Sequence, residues 1–131
     1  MPYDTPMRWG EWKFSAQRAV QDPWIRWTTV IAVVLLVAAS VFYLARVIPA
    51  GWQSGLTTLH YNVYLGIDDV RAWQWAFSIP ALALAVLAVD TLVALGLFRQ
   101  DPIASRTLTA TGLAAIIIWS VAVLFLVLVN V

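Results

Sequence analysis

Long apolar runs alternate with short polar stretches along this chain, and the runs come three times, the second interrupted by one acid, Asp90. The first extends from about Thr28 to Ala45, TTVIAVVLLVAASVFYLA; the second from about Ala76 to Phe98; the third from about Leu108 to Val131. Each approaches the roughly 20 residues a helix needs to cross about 30 Å of hydrocarbon. Lipid offers no partner to an open strand edge, so the runs predict helices. The first run is expected to be a retained anchor rather than a cleaved signal, because a long, folded-looking head precedes it and apolar residues follow its VAAS stretch.

The same tripeptide precedes two of the predicted helices: Gln21-Asp22-Pro23 and Gln100-Asp101-Pro102. Asp accepts hydrogen bonds from the first free amides of a helix, and Pro suits the first helical position, where its missing N–H costs nothing. Two independent helix starts account for this; an internal duplication is the alternative.

Ahead of the first run, Trp9, Trp12, Ala16, Ala19 and Val20 recur at helical spacing, and Arg8, Glu11, Ser15, Arg18 and Asp22 recur on another face. That pattern predicts an amphipathic helix lying in the membrane interface, either as an anchor or as a docking helix for a partner. Between the first two runs, residues 58–67 alternate with period two: Thr58, His60, Asn62 and Tyr64 on one side, Leu59, Tyr61, Val63, Leu65 and Ile67 on the other. A half-buried extended piece is expected there. Leu59, Val63 and Leu65 would lie on the bundle or membrane, Gly66 would make a tight bend, and Asp68 would cap a helix running into the second span.

The expected fold is thus an all-α membrane protein: three transmembrane helices plus an N-terminal interfacial amphipathic helix and one long structured outer loop. Its segments are residues 1–23 (amphipathic), 24–47 (first span), 48–75 (outer loop), 76–98 (second span), 99–106 (inner loop) and 107–131 (third span). Composition sharpens the class: 62% of the 131 residues are hydrophobic and 11% charged, against about a quarter charged in soluble domains. The absence of Cys excludes disulfides and thiolate chemistry. Arg8, Lys13, Arg18, Arg26, Arg99 and Arg106 fall on one predicted side, Arg46 and Arg71 on the other. Basic residues stay cytoplasmic, so the N-terminus is expected inside and the C-terminus outside. Trp9, Trp12, Trp24, Trp27, Trp73 and Trp75 are expected at headgroup level as interfacial anchors.

Two places carry candidate chemistry. The stretch LHYNVYLGID holds the only histidine, and His60, Tyr61, Asn62, Tyr64, Gly66 and Asp68 form a candidate interaction loop. His60 with Asp68 or Asp69 could pair as base and orienter, but no nucleophile stands near at a recognisable spacing, and one His is a poor metal set. No catalytic residue, metal or cofactor is therefore expected. The second place is Asp90, an intramembrane acid expected to face a bundle interior. Ala83 and Ala94 share its face, and Thr107, Thr111 and Ala115 form a small stripe on the third span, with Thr111 and Ser40 the nearest polar groups at its depth. An interhelix hydrogen bond, a proton or ion role, and a contact to another subunit all remain open for it.

LHYNVYLGID, with QDP ahead of the first span, resembles a loop of small uncharacterised multi-span membrane proteins of bacteria. In these, an L-H-Y-N-x-Y-x-G-[IV]-D element sits outside, between the first two helices. The resemblance covers roughly the middle half of the chain and implies a multi-pass protein of the bacterial inner membrane, with no assigned reaction. After Asp68, DVRAWQW is more charged than that family's apolar continuation. The function expected is a non-enzymatic scaffold or accessory subunit, its partners the lipid bilayer and another membrane protein or a second copy, with no nucleic acid. The alternative is an oligomeric transport or proton-coupled element using Asp90.

Overall fold

The computed structural model describes residues 8–131; residues 1–7 of the N-terminal segment lie outside the described residues. The elements are α1 (Trp9–Gln21), α2 (Pro23–Ser54), β1 (Leu56–Asn62), β2 (Gly66–Ala72), a short 3-10 helix (Trp73–Phe77), α3 (Ser78–Leu97) and α4 (Pro102–Asn130). Three helical stretches are long and apolar enough to cross a membrane: Pro23–Ser54, Trp73–Leu97 and Pro102–Asn130. Val34, Val41, Val86, Val89, Ile118 and Leu128 stay exposed on their outer faces. Surface of that kind, on three long helices, suits lipid rather than water.

Both QDP tripeptides start helices. Asp22 caps α2, accepting from the amides of Trp24 and Ile25, with Pro23 in the first turn. Asp101 caps α4, accepting from Ala104 N at 2.9 Å. The turn between α3 and α4 is shorter than the expected 99–106, because α4 begins at Pro102, as the capping residues dictate.

The expected outer loop, 48–75, contains more regular structure than an all-α reading allows. α2 continues through Pro49 to Ser54, where Gly55 (φ 76°) ends it in the left-handed conformation. Then β1 and β2 pair antiparallel as a hairpin. Asp68 does not cap a helix; it lies in β2, and the next helical residues begin only at Trp73. The physical reason is local: Val63-Tyr64-Leu65 closes a three-residue hairpin loop, and Gly66 supplies the positive φ (78°) that such a loop requires at its end. The Asn62 carboxamide accepts the Tyr64 amide at 2.9 Å and tightens the same turn.

α4 packs on both α2 and α3. One buried cluster joins Ala32 and Leu36 of α2, Ala83 and Leu87 of α3 and Ile116 of α4. A second, at the hairpin end, joins Tyr43 and Val47 of α2, Ala76, and Val123 and Val127 of α4. Gly51 lets the last turns of α2 approach the 3-10 helix closely; a Cβ there would meet Trp73 Cβ at 2.8 Å.

α1 crosses the opposite end with Ala19, of its expected apolar face, fully buried and Trp12 and Ala16 partly so. Ser15, expected on the polar face, is buried, whereas Trp9 and Val20 are exposed. The Ser15 hydroxyl lies 2.8 and 2.9 Å from the carbonyls of Leu95 and Gly96 and accepts the Arg99 amide at 3.1 Å. It serves the end groups of α3 that have no intrahelical partner. At the same end Arg106 of α4 grips Asp22 (Nη2 to Oδ2, 2.6 Å; Nε to Oδ2, 3.2 Å). The Trp24 indole donates to the Arg106 carbonyl at 3.2 Å. That guanidinium, with the two amides that Asp22 caps, holds the Asp22 carboxyl below its ordinary value of 3.8.

Because the folded-state value is depressed, the pair stabilises the fold above about pH 4, and that stability is lost as pH falls through and below this value. Thermal unfolding in detergent is therefore expected to show a drop in Tm on acidification that is smaller in Asp22→Asn, which keeps a capping side chain but cannot titrate. Identical acid profiles for the two proteins would show that the Asp22–Arg106 corner contributes nothing.

Candidate functional site

The hairpin is tied to the bundle by a residue that drew no attention in the sequence. The Asn130 carboxamide accepts from Thr58 N at 2.7 Å and donates to Thr58 O at 2.9 Å, as a neighbouring strand would. It also accepts from the Thr57 hydroxyl at 3.1 Å and donates to Leu126 O at 2.8 Å. Thr57 and Thr58 are buried in consequence, although the alternation placed Thr58 outward. The bulges after Thr58 and at His60 shift the register and break the simple period of two. An Asn in the last turn of an apolar helix was the signal available for this contact.

Within the hairpin, His60 and Asp68 pair across the strands, Nδ1 to Oδ1, at 2.6 Å. The imidazole is largely open to solvent, at 63% side-chain exposure. Base and orienter are thus together, and in this open position the pair acts as a cross-strand tie. Asp69 pairs instead with Arg71 at 3.0 Å, and the Arg71 guanidinium lies 5.0 Å from the Trp75 ring centroid.

Tyr61 lines, with Leu59 and Val63, a groove of about 350 Å³ against Ala122, Phe125 and Leu126 of α4. The hairpin therefore leans along the last turns of that helix. Of the residues expected on the bundle or the membrane, Leu59 and Val63 border this groove and Leu65 does not. Val63 and Leu65 stand at the tip with Tyr64, exposed by 83%, 77% and 94%.

Asp90 lies on the α3 face that carries Ala83, Leu87 and Ala94, as its spacing implied. Its partner surface differs from the expected one. Thr107 and Thr111 are exposed, and each bonds its own helix, Thr107 to Ile103 O and Thr111 to Thr107 O, both at 2.9 Å. The stripe that meets α3 is Ser105, Thr109, Gly112 and Ile116. Ser105 donates to Ala94 O at 2.6 Å, and Gly112 leaves the space the Asp90 carboxyl fills, since a Cβ there would collide with Asp90 Oδ2. That oxygen has no hydrogen-bond partner among the described residues. On its other side Asp90 borders an open groove of about 480 Å³ lined by Ala85, Val86, Val89, Val93 and Leu108. Gly112, the only glycine in α4, marked the close approach in the sequence.

The tryptophans gather at the two ends of the helices. Trp9 and Trp12 stack with centroids 5.4 Å apart. Trp24 and Trp27 are exposed at the start of α2. Trp73 meets Trp52 edge-on at 5.1 Å, and Trp75 is exposed beside it.

No family model, no curated protein and no solved structure matches the chain.

Gly112→Ala is expected to cost about 1–3 kcal/mol, the usual range for overpacking. Adding Asp90→Ala should recover part of the loss, because it removes the colliding carboxyl. Unfolding in detergent of the two single variants and the double variant checks this; strictly additive losses would show that Asp90 and Gly112 do not share the space.

Proposed function

We propose that this protein is a non-enzymatic scaffold or accessory subunit of a bacterial inner membrane, docking another membrane protein through the tip of its outer hairpin. The observation that carries the reading is the contrast within the hairpin. Its base is tied to α4 by three Asn130 bonds and its strands by His60–Asp68, while Val63, Tyr64 and Leu65 at its tip stay largely exposed. A pre-ordered loop loses little entropy on binding, and an exposed Tyr between apolar residues is the usual make-up of an interface anchor. The bacterial setting rests on the resemblance of LHYNVYLGID alone and is part of the proposal.

Orientation belongs to the same reading. α1, the start of α2 and the α3–α4 turn share one end, and with them Arg8, Lys13, Arg18, Arg26, Arg99 and Arg106; Arg46 and Arg71 lie toward the other. That asymmetry favours a cytoplasmic N-terminus and an external hairpin and C-terminus. A second reading, a transport or proton-coupled element, rests on Asp90 Oδ2 lacking a partner beside an open groove. Three helices enclose no pathway alone, so it requires oligomers.

Reporter fusions check the topology: a periplasmic signal is expected after Val131, and a cytoplasmic signal there would overturn it. Docking is tested by mild-detergent purification with identification of copurifying proteins. Tyr64→Ser with Leu65→Ser should abolish copurification without changing Tm, whereas Asn130→Leu should lower both. Unchanged recovery of the partner with the tip substituted, or recovery of a second copy alone, would sink the hairpin-docking account.

A further inference from the structure

Two arginines from different elements converge on one aromatic ring at the basic end of the molecule. Arg18 lies in the last turn of α1 and Arg99 in the α3–α4 turn. Their guanidinium carbons stand 5.5 and 5.6 Å from the Phe14 ring centroid. The ion pairs among the described residues are His60–Asp68, Arg71–Asp69 and Arg106–Asp22, so neither Arg18 nor Arg99 has a carboxylate there.

The described acids at this end are already committed. Glu11 accepts the Arg8 amide, Asp22 caps α2 and holds Arg106, and Asp101 caps α4. Each guanidinium gains some cation–π attraction from the ring, and no described carboxylate neutralises either charge, which leaves both available to an anion.

Depth decides which anion. Ser15, the neighbour of Phe14, bonds the final carbonyls of α3, and the Arg99 amide bonds Ser15. Phe14 and the two guanidiniums are therefore level with the end of an apolar helix, where a bilayer keeps its phosphates. Trp9, Trp12, Trp24 and Trp27 mark the same level. Phe14 itself is half-exposed, open to an approaching headgroup.

We infer that Arg18, Arg99 and Phe14 form a binding site for the phosphate of an anionic phospholipid. Guanidinium forks match phosphate oxygens bidentately and are less strongly hydrated than ammonium, which suits a site at the edge of hydrocarbon. The cluster is built from α1 and the α3–α4 turn together, so a bound headgroup also fastens α1 to the bundle.

The test uses the full chain in detergent, with native mass spectrometry counting bound phosphatidylglycerol against phosphatidylcholine. The expected result is a preference for phosphatidylglycerol that falls roughly tenfold in Arg18→Gln with Arg99→Gln. Arg46→Gln, at the other end, should keep the preference. Inorganic phosphate at millimolar concentration should not displace the lipid; displacement would mark a soluble-anion site and overturn the proposal. A folded double variant that keeps its preference would do the same. Should the double variant aggregate, each single variant is expected to lose several-fold, and full retention by either one overturns the assignment.

Discussion

Every apolar helix must end somewhere, and its last backbone groups must find partners that lipid cannot supply. That requirement organises this protein more than the packing of its greasy faces does. At one end, Ser15 of α1 serves the terminal carbonyls of α3, and Asp22 and Asp101 serve the first amides of α2 and α4. At the other end, Asn130 closes α4 by bonding both its own helix and the strand β1. Each of Ser15 and Asn130 does two things at once: it satisfies an end group and docks an element that would otherwise be loose. The amphipathic helix and the hairpin are held by these bonds, since few large apolar side chains are buried beneath either.

Between the ends, α4 is the helix against which the others are ordered. Its buried face is small and polar at Ser105 and Thr109 and bare at Gly112, then becomes bulky at Ile116, Val123 and Val127 toward the hairpin. Small residues allow close approach, and in lipid close approach is a principal attraction between helices, because the hydrophobic effect no longer distinguishes helix from solvent. Asp90 occupies the space that Gly112 opens. A polar group there orders the α3–α4 register, since sliding by one residue would drive the carboxyl into a side chain.

Charge divides the molecule. One end gathers six basic side chains and uses its described acids as helix caps; the other carries Arg46 and Arg71, with Asp68 and Asp69 already paired within the hairpin. The first end suits an anionic membrane surface. The second presents an apolar, aromatic tip on a stem whose two acids are paired, which suits a contact made by shape and burial.

Three helices long and apolar enough to span a membrane, and the points where α2 and α4 begin, were determined by sequence alone, because each rests on local chemistry: run length against bilayer thickness, and Asp-Pro at a helix start. The face of Asp90 with Ala83 and Ala94 followed from the helical period for the same reason. What only the tertiary structure decided were the choices between local patterns that compete. Residues 66–72 could extend or turn into a helix; the glycine-closed loop at Gly66 and the Asn130 bonds to Thr58 made them a strand partner. Ser15 looked like a surface residue until the end of α3 needed a donor, and Thr111 looked like a partner for Asp90 until Gly112 offered more room one residue away. Asn130, Ser15 and Arg99 act across more than seventy positions of chain, and no periodicity within a segment encodes which distant backbone group a side chain will meet.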